Sequence, residues 1–434
     1  MIFNPQFPTF LNILPVKRFE GQIRLPGSKS LSNRAFLLAA LCKGETRLHH
    51  LLSSDDTRYM SEGLRALGVS IDLSDDSSEA RVSGIGGKFP AKSADMFLGN
   101  SGTAMRSLCA AACLGNGKYR LSGEERMTER PISDLVDALT QMGAEIQYEV
   151  TEGYPPVRVM AAGLEGGDIS VAGNISSQYL TALLISGPCC KKDLHIKVKG
   201  ELISKPYIQM TILTMEKFGV KVRNKDFKEF HIPVCAYKTP GDFDIEGDAS
   251  SASYLLAGAA ILGGPVRVLG LDSRSAQGDV KFAEVLQKMG AEISYGNGYI
   301  ECRRDRSKPL RAVDMDLNDM PDAAMTLAVT ALFAKGTTTI RNIGSWRVKE
   351  TDRIAAISEE LRKVGAHVEA DMESIRITPP DVLRSATIET YNDHRMAMCF
   401  SLVALGGVEV KLMDPGCVKK TYPRFFEDFK ALAR

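Results

Sequence analysis

The sequence repeats a helix-then-strand pattern about every 75 residues, and this repeat constrains the fold more than any other feature. In five copies, an amphipathic helix pattern ends at a glycine, and an alternating strand pattern follows. The five glycines are spaced by 75, 76, 71 and 75 residues and are Gly68, Gly143, Gly219, Gly290 and Gly365. This regularity predicts one structural unit repeated along the chain.

Each of these helix patterns carries a single apolar stripe, formed by the residues one, four and eight positions before the glycine. Thr211 is the only polar residue in the five stripes. Beyond each glycine the hydrophobic period changes from 3.6 to 2, as in 69–73, which predicts a strand. A sixth stripe reaches Leu432, but the sequence ends before another strand. We predict that the segment 10–16 supplies the missing strand.

A second helix pattern alternates with the first and is rich in Ala and Leu on every face, which is typical of buried helices. Its six copies begin 70 to 74 residues apart and cover 33–41, 103–114, 177–185, 251–262, 322–333 and 393–405. Two series in phase predict an α/β fold of six units, each with one buried helix, one surface helix and short strands. Three units per domain would make two similar domains.

Composition excludes several classes of protein. Lys and Arg total 54 against 53 Asp and Glu, so a net charge of +1 gives no general attraction to nucleic acid or anionic membranes. No apolar run approaches the roughly 18 to 20 residues of a membrane-spanning helix. Nine cysteines without a Cys-x-x-Cys motif favour a reducing compartment and disfavour zinc. Because no Lys or Arg precedes Lys17, we expect no signal or transit peptide and predict a cytoplasmic protein.

The residues that open the buried helices are unusually polar. A helix N-terminus offers unbonded N–H groups and a partial positive charge, which suit phosphate or carboxylate. Ordinary capping explains any single polar start. Six polar helix starts occur at the same position of the repeat, and Lys29, Arg34, Arg106 and Arg395 lie beside them. Together they favour an anion-binding site over ordinary capping. These starts are 28–34, 99–103, 176–178, 248–251, 321–322 and 392–395.

Other charged segments have simpler explanations. Lys29 does not belong to the phosphate loop of ATPases, because no glycine directly precedes it. His394 adjoins a charged cluster, but no second His has ligand spacing to it, so we predict no metal site. The segments 126–131 and 346–353 could be ordinary helix starts, with Pro131 in a first helical turn and Thr351 as a cap.

Six segments together closely resemble the 5-enolpyruvylshikimate-3-phosphate synthase family of the bacterial type: 25–30, 99–106, 126–131, 176–178, 346–353 and 391–398. The resemblance runs from about Leu14 to Phe426. It implies an inverse α/β barrel fold, with two domains of three β-α-β-α-β-β units each and the active site in the cleft between them. With crossovers near Gly27 and Gly247, we assign 1–27 plus 248–434 to the first domain and 28–247 to the second.

The resemblance also implies a reaction. The enolpyruvyl group of phosphoenolpyruvate moves to the 5-hydroxyl of shikimate 3-phosphate with release of phosphate, a step of aromatic amino acid biosynthesis that glyphosate inhibits. No metal or organic cofactor is implied. Each substrate carries a phosphate and a carboxylate, so the site must neutralise four anionic groups while it excludes water.

The family's binding residues carry over position by position. The residues that would hold phosphoenolpyruvate are Lys29, Gly102, Arg130, Gln178, Arg353, Arg395 and Lys420. The residues that would hold shikimate 3-phosphate are Ser30, Arg34, Ser176, Ser177, Gln178, Ser204, Asp322, Ser345 and Lys349. Two positions depart from the family: Ser107 stands where Pro is common, and Ser345 where Asn is common, which puts one substrate hydrogen bond in doubt.

Addition and elimination of the enolpyruvyl group require two positioned proton-transfer groups, for which carboxylates suffice. The family points to Asp322 near the hydroxyl and Glu350 near the methylene, with Lys29 as a further catalytic residue. Asp322 at a helix start and Glu350 beside Lys349 should both favour the ionised form unless burial opposes it.

The closest alternative is a UDP-N-acetylglucosamine enolpyruvyl transferase, a family with a loop cysteine six residues before its Arg-Pro. Here Glu124 occupies that position, and no cysteine lies between Cys113 and Cys189. A non-catalytic metabolite-binding module of the same fold would be expected to lose Asp322 or Glu350, and both are present. RNA end processing would need a more basic surface. We predict a monomer with small-molecule substrates and neither nucleic-acid nor membrane partners.

Overall fold

The computed structural model describes residues 7–434, which form two compact units. One unit spans Gly27–Ile245, and the other contains Glu246–Arg434 together with the described residues up to Pro26. The chain therefore passes between the units twice, after Pro26 and after Ile245. Within residues 7–434, no helix has the length and apolar character needed to span a membrane.

The α-helices follow the two predicted series, buried and amphipathic in alternation. In chain order they are α1 (Lys29–Leu41), α2 (Asp55–Ala66), α3 (Gly102–Ala112), α4 (Ser133–Gln141), α5 (Ser177–Ser186), α6 (Lys205–Lys217), α7 (Ala249–Leu262), α8 (Phe282–Met289), α9 (Ala324–Thr330), α10 (Arg353–Lys363), α11 (His394–Ser401) and α12 (Phe425–Leu432).

The strands are short. In chain order they are β1 (Phe10–Ile13), β2 (Gly21–Arg24), β3 (Lys43–His49), β4 (Ser70–Leu73), β5 (Ala80–Ile85), β6 (Ser93–Phe97), β7 (Asn116–Ser122), β8 (Glu145–Tyr148), β9 (Val157–Ala162), β10 (Gly167–Ala172), β11 (Leu194–Lys199), β12 (Arg223–Lys225), β13 (Glu229–Ile232), β14 (Asp242–Asp244), β15 (Val266–Leu269), β16 (Glu292–Gly296), β17 (Tyr299–Arg303), β18 (Leu310–Arg311), β19 (Asp314–Asp316), β20 (Ala334–Lys335), β21 (Thr338–Arg341), β22 (His367–Ala370), β23 (Ile375–Thr378), β24 (Ala386–Ile388) and β25 (Val410–Met413).

Five repeats fold into four-stranded sheets with one parallel pair followed by two antiparallel pairs, and the described strands of the sixth form one parallel and one antiparallel pair. In the Gly27–Ile245 unit the sheets are β14-β3-β5-β4, β6-β7-β9-β8 and β10-β11-β13-β12. In the other unit they are β2-β15-β17-β16, β19-β21-β23-β22 and β24-β25-β1, with the pair β18-β20 beside them. The predicted β-α-β-α-β-β repeat is confirmed for five units, and the sixth shows three strands among the described residues.

The N-terminal strand completes the sixth repeat, as the sequence predicted. β1 pairs antiparallel with β25, with Phe10 opposite Met413 and Ile13 opposite Val410. The two strands nearest the unit boundaries, β2 and β14, each pair with a strand of the unit that the chain is about to leave. β2 precedes α1 along the chain but pairs with β15 inside its own unit, which contains Glu246–Arg434, and β14 precedes α7 but pairs with β3 inside Gly27–Ile245.

The five amphipathic helices end as predicted. Every residue of the five stripes, Thr211 included, is buried. The glycine after each stripe adopts the left-handed conformation that a residue with a Cβ rarely takes, with φ between +82° and +110°. In the sixth copy Ala433 holds the glycine position with φ −84°, and no strand follows it.

Four predicted details of the helix ends differ from the structure. Both α9 and α11 end early and continue as short 3₁₀ helices, Ala331–Phe333 and Leu402–Gly406. Asp352 rather than Thr351 caps α10, because its Oδ1 reaches the N–H of Ala355 at 3.2 Å. Pro131 lies before α4 rather than in its first turn, which begins at Ser133.

Candidate active site

Three of the predicted phosphoenolpyruvate ligands meet at the start of α3. Gly102 is the first residue of this helix, and Ser101 caps it by accepting the N–H of Ala104 at 3.4 Å. A Cβ placed on Gly102 would lie 2.5 Å from Nη2 of Arg130 and 3.1 Å from Oε1 of Gln178. The Arg130 and Gln178 side chains therefore converge on the one position where the helix has no side chain.

Arg130 is held in place by neighbours that belong to the same segments of sequence. It is buried, and its Nη1 donates to the carbonyl oxygen of Asn100 at 2.9 Å and to Asn100 Oδ1 at 2.8 Å. Nη2 of Arg106 donates to the backbone carbonyls of Arg130 and Pro131, at 3.2 and 2.7 Å. Burial, and secondarily the nearby Arg130 charge, lowers the pKa of Arg106 to about 10. Arg106 thus supports the backbone that carries Arg130.

The predicted serine ligands lie at helix starts. Ser176 caps α5 and accepts the N–H of Gln178 at 3.3 Å, and Ser177 is the first residue of that helix. Ser204 precedes α6 in a left-handed conformation, with φ 54°. Such positions combine hydroxyls with the unbonded N–H groups of a helix N-terminus, which suit a phosphate.

Arg34 lies in the interior of the Gly27–Ile245 unit, where its guanidinium bridges three helices. Nε donates to Thr211 Oγ1 at 2.8 Å, and Nη2 donates to Thr181 Oγ1 and the Tyr207 carbonyl, each at 3.2 Å. Nη1 donates to the Ser30 carbonyl at 2.9 Å. Burial lowers the pKa of Arg34 to about 10. The interaction with Thr211 explains the one polar residue in the apolar stripes; substrate binding by Arg34 stays a prediction.

Lys29, the first residue of α1, lies close to a buried carboxylate. Its Nζ is 3.6 Å from Oδ2 of Asp56, and both side chains are largely buried. Asp56 belongs to the first turn of α2. The ammonium of Lys29 is therefore oriented by a group of its own unit.

In the other unit, one arginine organises the two predicted proton-transfer residues. Arg353, the first residue of α10, is fully buried. Its Nη1 donates to Asp322 Oδ1 and its Nη2 to Glu350 Oε2, each at 2.9 Å. Its Nε donates to Asp393 Oδ2 at 2.8 Å, and Nη2 lies 3.3 Å from Asp393 Oδ1. Three carboxylates from separate segments thus share a single guanidinium.

The charge balance at Arg353 is decided by these carboxylates. Burial alone would lower the pKa of Arg353, but the Asp393, Glu350 and Asp322 carboxylates outweigh burial and raise the pKa above its ordinary value. The guanidinium therefore stays charged. Four of its five N–H groups donate to the three carboxylates.

The second carboxylate oxygen of Asp322 is bound by Arg395. Nη2 of Arg395 donates to Asp322 Oδ2 at 2.8 Å, and Nη1 donates to the hydroxyl of Tyr254 at 2.8 Å. Asp322 lies in the turn before α9, and Trp346 supports this turn by donating from Nε1 to the Pro321 carbonyl at 2.7 Å. The structure therefore brings Asp322, Glu350, Arg353 and Arg395 into one cluster.

The remaining predicted residues occupy short turns of the same unit. Ser345 is in a 3₁₀ helix, Gly344–Val348, and Lys349 directly follows it. Lys420 ends another 3₁₀ helix, Pro415–Lys420. His394 is buried, with Nδ1 3.5 Å from Asp393 Oδ1. Among residues 7–434, no group of His, Cys, Asp and Glu side chains is arranged to hold a metal ion.

Several residues that contact the predicted site residues of their own unit had no role assigned from the sequence. Asp393 lies in the segment 391–398, and Asn100 lies in 99–106. Both therefore lie beside residues to which the sequence assigned a role. Asp56 and Tyr254 gave no signal in the sequence, because they contact Lys29 and Arg395, which are distant in sequence. Only the folded chain shows which charged side chains they face.

The repeated α/β fold, with arginine, lysine and carboxylate side chains at the helix starts, defines an enzyme for small anionic substrates. Two solved structures share this fold. EPSP synthase from Acinetobacter baumannii has a TM-score of 0.80 and 24% identity, covering 97% of this chain and 98% of that one. The enolpyruvyl transferase NikO from Streptomyces tendae has a TM-score of 0.79 and 20% identity, covering 98% and 97%.

Sequence comparison narrows the class to one family. Residues 13–429 match the family described as EPSP synthase (3-phosphoshikimate 1-carboxyvinyltransferase). The 3-phosphoshikimate 1-carboxyvinyltransferase of Edwardsiella ictaluri is 57% identical over 424 residues, which cover 97% of this chain and 98% of the relative. The chain belongs to the EPSP synthase family.

Proposed function

We propose that this chain transfers the enolpyruvyl group of phosphoenolpyruvate to the 5-hydroxyl of shikimate 3-phosphate and releases phosphate. The observation that carries the proposal is the cluster in which Arg353 binds both Asp322 and Glu350 while Arg395 binds Asp322. Two carboxylates fixed on arginines provide the proton-transfer groups that the reaction requires. Membership in the EPSP synthase family supports the same substrates.

Binding of phosphoenolpyruvate is assigned to residues of both units. From the Gly27–Ile245 unit we assign Lys29, Gly102, Arg130 and Gln178, of which the last three already lie together. From the other unit we assign Arg353, Arg395 and Lys420. Cationic donors in a water-poor site bind phosphate and carboxylate strongly, because charge-assisted hydrogen bonds are about twice as strong as neutral ones.

Shikimate 3-phosphate is assigned to the serine-rich helix starts. Ser176 and Ser177 at α5 and Ser204 before α6 would hold its phosphate. Ser30, Arg34, Gln178, Asp322, Ser345 and Lys349 complete the proposed set. Since Ser345 is shorter than the Asn common in the family, its contact would need a bridging water.

In the addition step, the oxygen of the 5-hydroxyl bonds to C2 of phosphoenolpyruvate. The hydroxyl proton passes to the carboxylate of Asp322. Glu350, the carboxylate paired with Arg353, takes up a proton when the substrates bind and gives it to C3, which becomes a methyl group. The product of this step is a tetrahedral intermediate that carries both the ether oxygen and the phosphate on C2.

In the elimination step, Glu350 accepts a proton and Asp322 donates one, the opposite of their roles in the addition step. Glu350 removes a proton from the methyl group, the C2–C3 double bond re-forms, and the bond from C2 to the phosphate oxygen breaks. Asp322 returns its proton to the leaving phosphate, so both carboxyl groups regain their starting states. Lys29 would stabilise the leaving phosphate by its charge. No electrons are gained or lost overall, and no redox cofactor takes part in the proposed steps.

We also propose that the enzyme works as a monomer in the cytoplasm. Nine cysteines, all free, favour a reducing compartment, where thiols persist.

The direct test mixes the purified chain with phosphoenolpyruvate and one acceptor at a time, and measures phosphate release. We expect release with shikimate 3-phosphate and none above background with UDP-N-acetylglucosamine. The reverse pattern would overturn the proposal and favour the alternative acceptor.

A Gly102→Ala substitution tests the phosphoenolpyruvate assignment. The new Cβ would lie 2.5 Å from Nη2 of Arg130, so this buried guanidinium must shift. Overpacking of a tight site costs about 1–3 kcal/mol, so we expect KM for phosphoenolpyruvate to rise about tenfold or more, with KM for shikimate 3-phosphate changed much less. Steady-state kinetics on a variant with a normal unfolding midpoint would show this. Equal increases in both KM values would argue against the assignment.

A further inference from the structure

Asp279 is a buried carboxylate that the proposed mechanism does not use. It lies in a 3₁₀ helix, Gly278–Lys281, and is 5% exposed. Ser250, in the first turn of α7, donates its hydroxyl proton to Oδ2 of Asp279 at 2.5 Å. A carboxyl group is costly to bury, so its position beneath the start of a helix calls for an explanation.

The same face of α7 reaches the proton-transfer cluster. Tyr254 follows Ser250 by four residues, so the two side chains lie one above the other on the helix. The Tyr254 hydroxyl accepts from Arg395 at 2.8 Å, and Arg395 donates to Asp322 at 2.8 Å. All of these side chains are buried except Asp322, which is 16% exposed. Asp279 and Asp322 are thus connected through one helix face and one arginine.

Some neighbours of Asp279 raise its pKa, and others lower it. Burial first, and then the Asp322 carboxylate, raise the pKa of Asp279 to about 6; Asp248 adds to this, while the Ser250 hydrogen bond and the Arg395 charge oppose it. Asp248 belongs to the cap of α7, Asp322 to the turn before α9, and Arg395 to α11. Electrostatic coupling is reciprocal, so an ionised Asp279 favours a proton on Asp322 by the same free energy.

We propose that Asp279 is a positioning residue for proton transfer and acts through Asp322. In its ionised form Asp279 repels the ionised form of Asp322 and so favours the movement of the 5-hydroxyl proton onto Asp322. Asp279 itself contacts neither substrate. This inference rests on the proposed function, in which Asp322 takes that proton.

The test is the pH dependence of kcat in Asp279→Asn, a variant of nearly the same shape. In the wild type, Asp279 is ionised above its pKa and becomes protonated as the pH falls, so kcat should decline on the acid side with an apparent pKa near 6. The variant is neutral at every pH. We expect its kcat to be about tenfold lower than the wild type at pH 8, since tenfold corresponds to one pKa unit, and the difference to narrow below pH 6.

Two further variants make the result specific. Ser250→Ala removes the hydrogen bond that opposes protonation of Asp279, so the acid limb of kcat should move to higher pH. Asp305→Asn, which changes an exposed carboxylate of the same unit, should leave the profile unchanged. If Asp279→Asn does not fold, the Ser250→Ala profile decides the question.

Failure of this inference can be told apart from failure of the proposed function. A folded Asp279→Asn with the wild-type profile, or with a loss that is equal at every pH, overturns the role of Asp279 while Asp322→Asn remains inactive. If Asp322→Asn retains wild-type turnover, the proposed role of Asp322 fails, and the inference about Asp279 fails with it.

Discussion

Asp322→Asn and Glu350→Gln should each lower kcat by about 10²- to 10⁴-fold while the protein folds normally, because each removes a proton-transfer group and keeps its shape. Both amides can still accept a hydrogen bond from Arg353, so the cluster loses charge but not its packing. Turnover at saturating substrates, together with the urea midpoint of each variant, would measure the two effects separately.

Asp352→Ala is the matched control for Glu350→Gln. Asp352 is two residues away and caps α10, with an ion pair to Arg347 at 2.8 Å. Losing a cap costs about 1 kcal/mol of stability, so this variant should be less stable and close to wild type in turnover. If Asp322→Asn or Glu350→Gln keeps more than about a tenth of wild-type kcat, that residue is not a proton-transfer group.

Arg353→Leu should destabilise the protein by about 3–5 kcal/mol at neutral pH, since it leaves buried carboxylates without their counter-charge. The Asp322, Glu350 and Asp393 carboxylates all lie within 2.9 Å of this guanidinium. Carboxylates that are stabilised by a positive charge contribute stability above their unfolded-state pKa and lose it as the pH falls. The deficit of the variant should therefore shrink as the pH falls toward about 4, the unfolded-state pKa of Asp and Glu, because protonation relieves the repulsion.

Arg347→Leu is the control for this experiment. Its ion pair with Asp352 is partly exposed, and such pairs contribute about 0–1 kcal/mol. Urea unfolding of both variants across the pH range would compare the stability that each of them loses. A loss below about 1 kcal/mol in Arg353→Leu, or a loss that grows toward acid pH, would contradict the electrostatic account of the cluster.

The fold could be predicted from the sequence because its units repeat. Buried helices, apolar stripes and left-handed glycines depend on local residue types, and each recurs in phase. The pairing of β1 with β25 followed from simple counting, since the sixth unit ran out of sequence before its strand. The candidate site residues were predicted by resemblance at 391–398 and the other segments, and two of them, Arg130 and Gln178, lie beside a third, Gly102.

The rest depends on tertiary contacts that no local pattern contains. Thr351 and Asp352 are both polar residues beside the start of α10. Asp352 caps the helix because its carboxylate reaches the N–H of Ala355. The contacts of Arg34 could not be predicted either, because its guanidinium donates to neutral groups on three helices that are far apart in sequence. The role of Asp393 became visible only from its contact with Arg353, which is 40 residues away in sequence.

The central claim is that this chain makes an enolpyruvyl ether by proton addition and removal at C3 of phosphoenolpyruvate. The most direct measurement is ¹H and ³¹P NMR of the reaction of shikimate 3-phosphate with phosphoenolpyruvate in D₂O. We predict a new ether at carbon 5, one phosphate released per ether formed, and deuterium in the product methylene, because the intermediate carries a methyl group that received a solvent-derived deuteron. Phosphate release without the ether, or an ether whose methylene contains no deuterium, would contradict the account.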